Sequence, residues 1–325
     1  MLPEKKIAVV LMQLGGPDSL EAVEPFLYNL FLDPDIFDFP FASIAREPLA
    51  RLISSRRAKK VQHRYAEIGG KSPIRELTNL QARALELELS KSLDARVFVA
   101  MRYWHPLTVE TLEEIGKDKF TEIILLPLYP HYSGTTSGSS LNEWNRRFPA
   151  ARMDAVPVKV IRDFHDHPLY IESIVERINQ ALPLFIEVKA ENIFLLFSGH
   201  GVPQSIADSG DPYKHQVEET VRLVMQRGGW RSPHLLCWQS KVGSSVWLKP
   251  YLHKTIPQLA GQGVKNLLVI PIAFVTDHIE TLHEINIEAR EQAERLGIAH
   301  FEMMPALNDS PTFISGLAEL VLKNV

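Results

Sequence analysis

Apolar residues along this chain gather into eight short runs, at 7–14, 96–102, 122–128, 155–161, 192–197, 234–238, 266–272 and 300–304. The runs are close to continuous instead of alternating, as expected for strands covered on both faces. Amphipathic or proline-opened stretches lie between them. Ser72-Pro73 opens one that continues to Leu93, with proline suited to the first helical position. The stretches 168–182, 212–227, 250–260 and 277–296 read the same way, and Ser310-Pro311 starts a last helix. This alternation predicts an α/β protein with parallel sheets flanked by helices. The runs fall into two sets of four, before and after residues 163–168. Two similar doubly wound domains are therefore expected, 1–165 and 166–325, each with a four-stranded parallel sheet. Packing of the last helix back on the first domain is left open. The region 26–57 breaks the pattern: it reads as helical, but carries exposed-looking aromatics at Phe26, Tyr28, Phe31, Phe37, Phe39 and Phe41.

Composition narrows the classes. The 325 residues are 45% hydrophobic and 23% charged, with a net charge of −4, which argues against a general nucleic-acid binder. The single cysteine, Cys237, excludes an intrachain disulfide and any cluster held by several thiolates of one chain. Flanked by Leu235, Leu236 and Trp238, it reads as a buried strand residue. The N-terminal apolar run is too brief for a signal peptide. No run reaches the ~18 apolar residues of a spanning helix. The cytoplasm is the expected compartment.

Two segments carry candidate chemistry. After the seventh run comes Asp277-His278-Ile279-Glu280-Thr281-Leu282-His283-Glu284-Ile285-Asn286-Ile287-Glu288. At about 100° per residue, Glu280, Glu284 and Glu288 share one helix face. Like charges at that spacing repel, so the ladder suits a site handling cations or protons; a solvated face near a helix N-terminus produces the same pattern. After the fifth run comes Ser198-Gly199-His200-Gly201-Val202-Pro203, an imidazole between two glycines with open backbone around it. Loops at strand ends of open parallel sheets converge on a ligand crevice. No G-x-G-x-x-G follows a strand, and neither H-E-x-x-H nor G-x-S-x-G occurs. Gly69-Gly70-Lys71-Ser72 imitates the end of a phosphate loop, but Tyr65 stands where its first glycine belongs and no strand precedes it.

Further segments complete a resemblance. They are Leu14-Gly15-Gly16-Pro17, Ser54-Ser55-Arg56-Arg57, Tyr65-Ala66-Glu67-Ile68-Gly69-Gly70-Lys71-Ser72-Pro73-Ile74, Arg102-Tyr103-Trp104-His105-Pro106-Leu107-Thr108, Tyr129-Pro130-His131-Tyr132-Ser133, Gly138-Ser139-Ser140-Leu141-Asn142, Ser240-Lys241-Val242-Gly243 and Trp247-Leu248. With the His200 loop and the acidic run, they resemble the ferrochelatase family in order and over nearly the whole chain. The resemblance implies two Rossmann-like domains that bind no nucleotide, with porphyrin in the cleft between them. It also implies partial π-winding of the helix after Asp277.

The implied activity is insertion of Fe²⁺ into protoporphyrin IX, giving protohaem and two protons. The alternatives are a coproporphyrin III ferrochelatase, a chelatase for another divalent metal and a non-catalytic porphyrin or haem carrier. By resemblance, His200 is proton acceptor or metal contact and Glu280 its partner, also a metal contact. Glu284 with Glu288 forms a proton or metal conduit, and His278 supports Glu280. Imidazole and carboxylate are competent bases and moderate Fe²⁺ ligands. Arg57, Tyr65, Ser72 and Ser240, with Arg56 nearby, are implied to hold propionates. Leu14, Tyr129 and Trp247 would pack on the ring, with Arg102 and Tyr103 on the wall near the metal.

The segment 31–41 resembles a hydrophobic lip that could receive porphyrin or rest on a bilayer surface, though ordinary interdomain packing fits it equally. Asn286 stands where the family often has Asp. Without C-terminal cysteines, neither a [2Fe–2S] cluster nor a dimer built on that extension is expected. Iron is a substrate here, with no permanently bound cofactor, and a monomer is favoured.

Overall fold

A computed structural model describes residues 5–36, 42–153, 155–243 and 245–325. The chain divides into two compact units, Met1–Asp163 with Ile314–Val325, and Phe164–Phe313.

The first unit contains β1 (Lys6–Gln13), α1 (Val23–Phe31), α2 (Ala42–Glu67), α3 (Ile74–Leu89), β2 (Asp94–Met101), α4 (Thr108–Ile115), β3 (Glu122–Pro127), α5 (Ser139–Arg147) and β4 (Val158–Val160). The four strands are parallel, in the order β2-β1-β3-β4. β1, a strand as its apolar run predicted, lies between β2 and β3, and Ile7, Ala8, Val9, Val10 and Leu11 expose nothing. One face of the sheet packs Ala8, Val10, Phe98, Leu125 and Trp144 into a single core. Burial of one such large side chain is worth about 1.5–3 kcal/mol.

The second unit contains α6 (Pro168–Ala181), β5 (Phe194–His200), α7 (Gln204–Asp208), α8 (Tyr213–Gly228), β6 (His234–Gln239), α9 (Leu252–Gly261), β7 (Asn266–Ile270), a π-helix over Glu280–Ala289, α10 (Arg290–Arg295) and β8 (His300–Met303). Its parallel order, β6-β5-β7-β8, repeats the first unit's connectivity. Helix α11 (Pro311–Leu322) starts in the second unit and continues into residues counted with the first.

The expected α/β architecture of two four-stranded parallel sheets is thus present, with differences of detail. The fourth run yields only three strand residues. The seventh strand stops at Ile270, because Pro271 cannot donate to a ladder, and 271–279 form a connection before the helix. The aromatics of 26–31 were expected to be exposed. Instead Phe26 and Phe31 are each only 7% exposed, on the buried stripe of α1 with Val23 and Leu27. Phe37, Phe39 and Phe41 lie outside the described residues.

Candidate active site

In the second sheet the direction of connection reverses between β5 and β7. The carboxyl ends of those two strands therefore flank the switch point where open α/β sheets bind ligands. His200 is the last residue of β5, and the chain leaving β7 reaches Glu280 ten residues later. Gly201 lets the His200 loop close against β6: its N–H donates to the Gln239 carbonyl at 2.9 Å. A Cβ at 201 would lie 2.8 Å from that same oxygen.

Glu280 meets the imidazole directly. His200 Nδ1 lies 2.8 Å from Glu280 Oε2. Their side chains remain 32% and 21% exposed, enclosed but open to a ligand. Burial presses the His200 pKa down; the Glu280 charge, the hydrogen bond to it and the Glu284 charge outweigh burial, and the net shift is upward. Burial likewise pushes Glu280 up, but the two histidines beside it hold its carboxyl far below the usual carboxylate range. Glu280 is thus ionised, Nδ1 carries the shared proton, and neutral His200 keeps its lone pair on Nε2.

The neighbours fix this pair. His278 Nδ1 donates to the Thr276 carbonyl at 3.0 Å, turning Nε2 to 3.8 Å from Glu280 Oε2. Buried Asp277 accepts from the Thr281 hydroxyl at 3.0 Å and from Asn308 Nδ2 at 2.9 Å, tying down the start of the helix. The Phe274 ring stands 6.3 Å from His200 and 4.8 Å from His278, and the Trp247 ring 6.4 Å from His200. Tyr213 donates its hydroxyl to the His200 carbonyl at 2.9 Å.

The acidic run is π-wound throughout Glu280–Ala289. His283 and Glu288, five apart, approach to 3.7 Å. On an α-helix that spacing leaves side chains about 140° apart, whereas i→i+5 winding brings them together. Glu284 accepts from the Ser240 hydroxyl at 2.5 Å and from Gln239 Nε2 at 3.3 Å. Ser240 holds a left-handed φ of +63°, a conformation that costs a non-glycine residue roughly 1–2 kcal/mol. Such strain is common at functional sites. Asn286 is engaged with Arg290, whose Nη2 donates to its side-chain oxygen at 2.9 Å.

The remaining candidates lie in the first unit. Gly16 packs so closely on Ser72 that a Cβ there would sit 2.6 Å from its side chain. The Ser72 amide donates to the Pro17 carbonyl at 2.8 Å, and Tyr103's to that of Leu14 at 3.0 Å. The Leu14, Ser72 and Tyr103 segments are thereby joined at the end of β1. Arg56 and Arg57 are exposed on α2, with Arg57 over the Phe31 ring, while Tyr65 and Ser72 are buried. Tyr129 is partly exposed, its hydroxyl pKa pushed up by burial.

Arg102 and Tyr103 are committed to a buried network. Arg102 pairs with Asp33 at 2.9 Å and donates to Ser139 at 2.8 Å; Tyr103 donates to Asp33 at 2.6 Å, and Ser139 also bonds that carboxylate. Burial would raise the Asp33 pKa, but these hydroxyls and the guanidinium hold it below the ordinary value. Sequence reading assigned no role to Asp33, Ser139, Tyr213, Gln239 or Phe274. Ser139 lay within the Gly138–Asn142 segment of the resemblance, and Asp33 carried a signal of its own, an acid following Phe31 and Leu32 that must find a partner if buried.

Among the described residues, no three His, Cys, Asp or Glu converge to hold a metal. The His200–Glu280 pair supplies two donors and leaves other coordination positions to water or substrate. The fold and this pair define an α/β protein whose site suits proton and divalent-metal chemistry.

Comparison with known proteins fixes the family. The ferrochelatase family model matches residues 6–325. The ferrochelatase of Geobacter metallireducens is 50% identical over 320 residues, covering 98% of each chain. That of Aquifex aeolicus is 47% identical over 320 residues, covering 98% of this chain and all of the relative, 100%. In fold, the chain is similar to SirB from Bacillus subtilis with Fe³⁺, at TM-score 0.58 and 13% identity over 98% of this chain and 95% of that one. It is also similar to CbiX, the terminal enzyme for biosynthesis of sirohaem in denitrifying bacteria, at TM-score 0.53, 13% identity and coverage of 99% and 100%. This chain belongs to the ferrochelatase family. Among the described residues no helix is long and apolar enough to cross a membrane.

Proposed function

We propose that this chain inserts Fe²⁺ into protoporphyrin IX, forming protohaem and releasing two protons. The observation that carries the reading is the His200–Glu280 contact at 2.8 Å, within a family of ferrochelatases. The substrates are porphyrin and ferrous iron, with no resident cofactor and no iron–sulfur cluster.

Neutral His200 uses Nε2 to take a pyrrole proton or to hold the incoming ion. Glu280 stabilises the imidazolium in the first case and supplies a carboxylate oxygen in the second. The donor set is moderate in strength, so the macrocycle's four nitrogens can draw the ion away, as a thiolate cage would not allow. Glu284, then Glu288, lead protons or ions along the π-helix. Trp247, Leu14 and Tyr129 supply ring contacts, while Arg57, Tyr65, Ser72 and Ser240, with Arg56 nearby, receive carboxylates. Arg102 and Tyr103 form the porphyrin wall near the metal, held by their shared anchor on Asp33. The enzyme works in the cytoplasm as a monomer.

The test is an anaerobic absorbance assay with Fe²⁺, or Zn²⁺ as surrogate, and protoporphyrin IX. Metalloporphyrin formation with turnover is expected; tight porphyrin binding without faster metallation would make the chain a carrier instead. Running coproporphyrin III in parallel tests the substrate, since faster turnover of that porphyrin would overturn protoporphyrin. Arg57→Ala should weaken porphyrin binding roughly tenfold, the loss of one charge-assisted hydrogen bond. An unchanged dissociation constant would remove Arg57 from substrate binding.

A further inference from the structure

One side chain joins Glu280 to Glu284, and the reaction sketched above gives it no part. Gln239 ends β6 in register with His200 and is only 4% exposed. Every polar atom of its amide is engaged. Oε1 accepts from the Ser198 hydroxyl at 2.8 Å; Nε2 donates to the Glu280 carbonyl at 2.9 Å and to Glu284 Oε2 at 3.3 Å. Its main-chain oxygen accepts from Gly201 N at 2.9 Å. One residue therefore fastens β5 on one side of His200, the loop on the other, the backbone of Glu280 and the carboxylate of Glu284.

We propose that Gln239 is a positioning residue for metallation, whose neutral amide sets Glu280 against His200 and holds Glu284 in line behind it. The proposal rests on the ferrochelatase reading above.

The chemistry selects an amide. Ser198 donates its hydroxyl, so the group facing it must accept; a carbonyl and a carboxylate face the other end, so that group must donate. Glutamine does both without charge. An ionised carboxylate there would place a third negative charge beside Glu280 and Glu284 and offer them only lone pairs. An aliphatic side chain would leave the Glu280 carbonyl and the Ser198 hydroxyl without this partner in a buried place. The Glu280 peptide also opens the π-helix, so a shift there displaces the carboxylate that meets His200.

Two variants test the role. Gln239→Leu keeps bulk and removes every side-chain hydrogen bond. Its kcat should fall about 10- to 100-fold, the usual cost of losing an outer partner of a metal-handling group, with KM for protoporphyrin within about twofold of wild type. Gln239→Glu should show a similar loss at pH 8. Its ratio of kcat to wild type at the same pH should then climb as pH falls and the new carboxyl gains a proton to donate. A general loss of structure produces no such pH-dependent recovery. A kcat within about twofold of wild type in Gln239→Leu, or a Gln239→Glu ratio flat from pH 8 to 5.5, overturns the proposal.

Wild-type turnover is the control, and its absence refutes the ferrochelatase reading alone. The positioning role is then decided by amide hydrogen exchange. Exchange across 280–289 should quicken at least about fivefold in Gln239→Leu while β7 stays protected; unchanged exchange there overturns the role.

Discussion

At the scale of single residues, the sign of each pKa shift sets how this site responds to pH. The folded His200 pKa is raised above its ordinary 6.5, so pairing contributes stability below that value and loses it as pH rises through the folded pKa. Glu280 is depressed below its ordinary 4.5, so its contribution is present above that value and disappears as pH falls through the lowered one. The charged pair is complete only between those limits. Its chemistry needs the opposite state of the imidazole, because a protonated His200 can neither accept a proton nor hold an ion. The acid limb of kcat/KM for the metal should therefore have a midpoint above 6.5, and Glu280→Gln should move it to lower pH while slowing turnover. A pH–rate series from 5.5 to 9 reads both, and an acid limb unmoved by Glu280→Gln contradicts the pairing. His200→Ala should reduce kcat at least about 100-fold, the scale of a general base. Porphyrin affinity, followed by fluorescence quenching, should be nearly retained.

Between residue and fold lie the elements, and here close packing does the positioning. Gly201→Ala would put its Cβ 2.8 Å from the Gln239 carbonyl, against backbone that cannot swing aside. The variant should lose about 1–3 kcal/mol, as overpacked sites do, and its kcat should fall by more than its folded fraction. Urea melts beside initial rates check this; a stable, fully active variant would show that the loop has room. The strands and the His200 loop were legible because continuous apolar runs and a glycine-flanked imidazole are local patterns. The order β6-β5-β7-β8 was not, since nothing in a run of Leu, Val and Ile names its neighbour. The π-winding was implied by the family resemblance but not by periodicity: glutamates at 280, 284 and 288 share a face in either winding, whereas the His283–Glu288 approach fits i→i+5 winding. Phe26 and Phe31 misled because an aromatic-rich segment near polar residues reads as exposed until the apolar stripe of α1 finds its partners, Tyr103 against Phe26 among them. Asp33 could be suspected from its apolar surroundings, but its partners Arg102, Tyr103 and Ser139 come from distant turns that no periodicity connects.

On the scale of the whole molecule, two sheets share one connectivity, yet the chain does not divide at a single point. Helix α11 was readable as a helix from Ser310-Pro311, but its allegiance was not. Phe313, Ile314, Leu317, Ala318 and Val321 form a buried stripe that would suit either sheet. The structure counts Ile314–Val325 with the first unit, where Lys159 Nζ donates to the Asn324 carbonyl at 2.6 Å. The far end of the sequence should then govern the stability of its beginning. Leu317 is 1% exposed, and truncation to Ala should cost about 2–5 kcal/mol through lost burial and the cavity left behind. That is a large share of a domain's typical ~5–15 kcal/mol, so the loss should show first as local opening. In Leu317→Ala, amide exchange should quicken in β1 and β3, while β5 and β7 keep wild-type protection. If β5 and β7 loosen and β1 does not, the helix belongs energetically to the second unit. A chain broken after Phe313 should fail in the same place, because it removes Ile314, Leu317 and Val321 together and strips the first unit of the stripe that closes it.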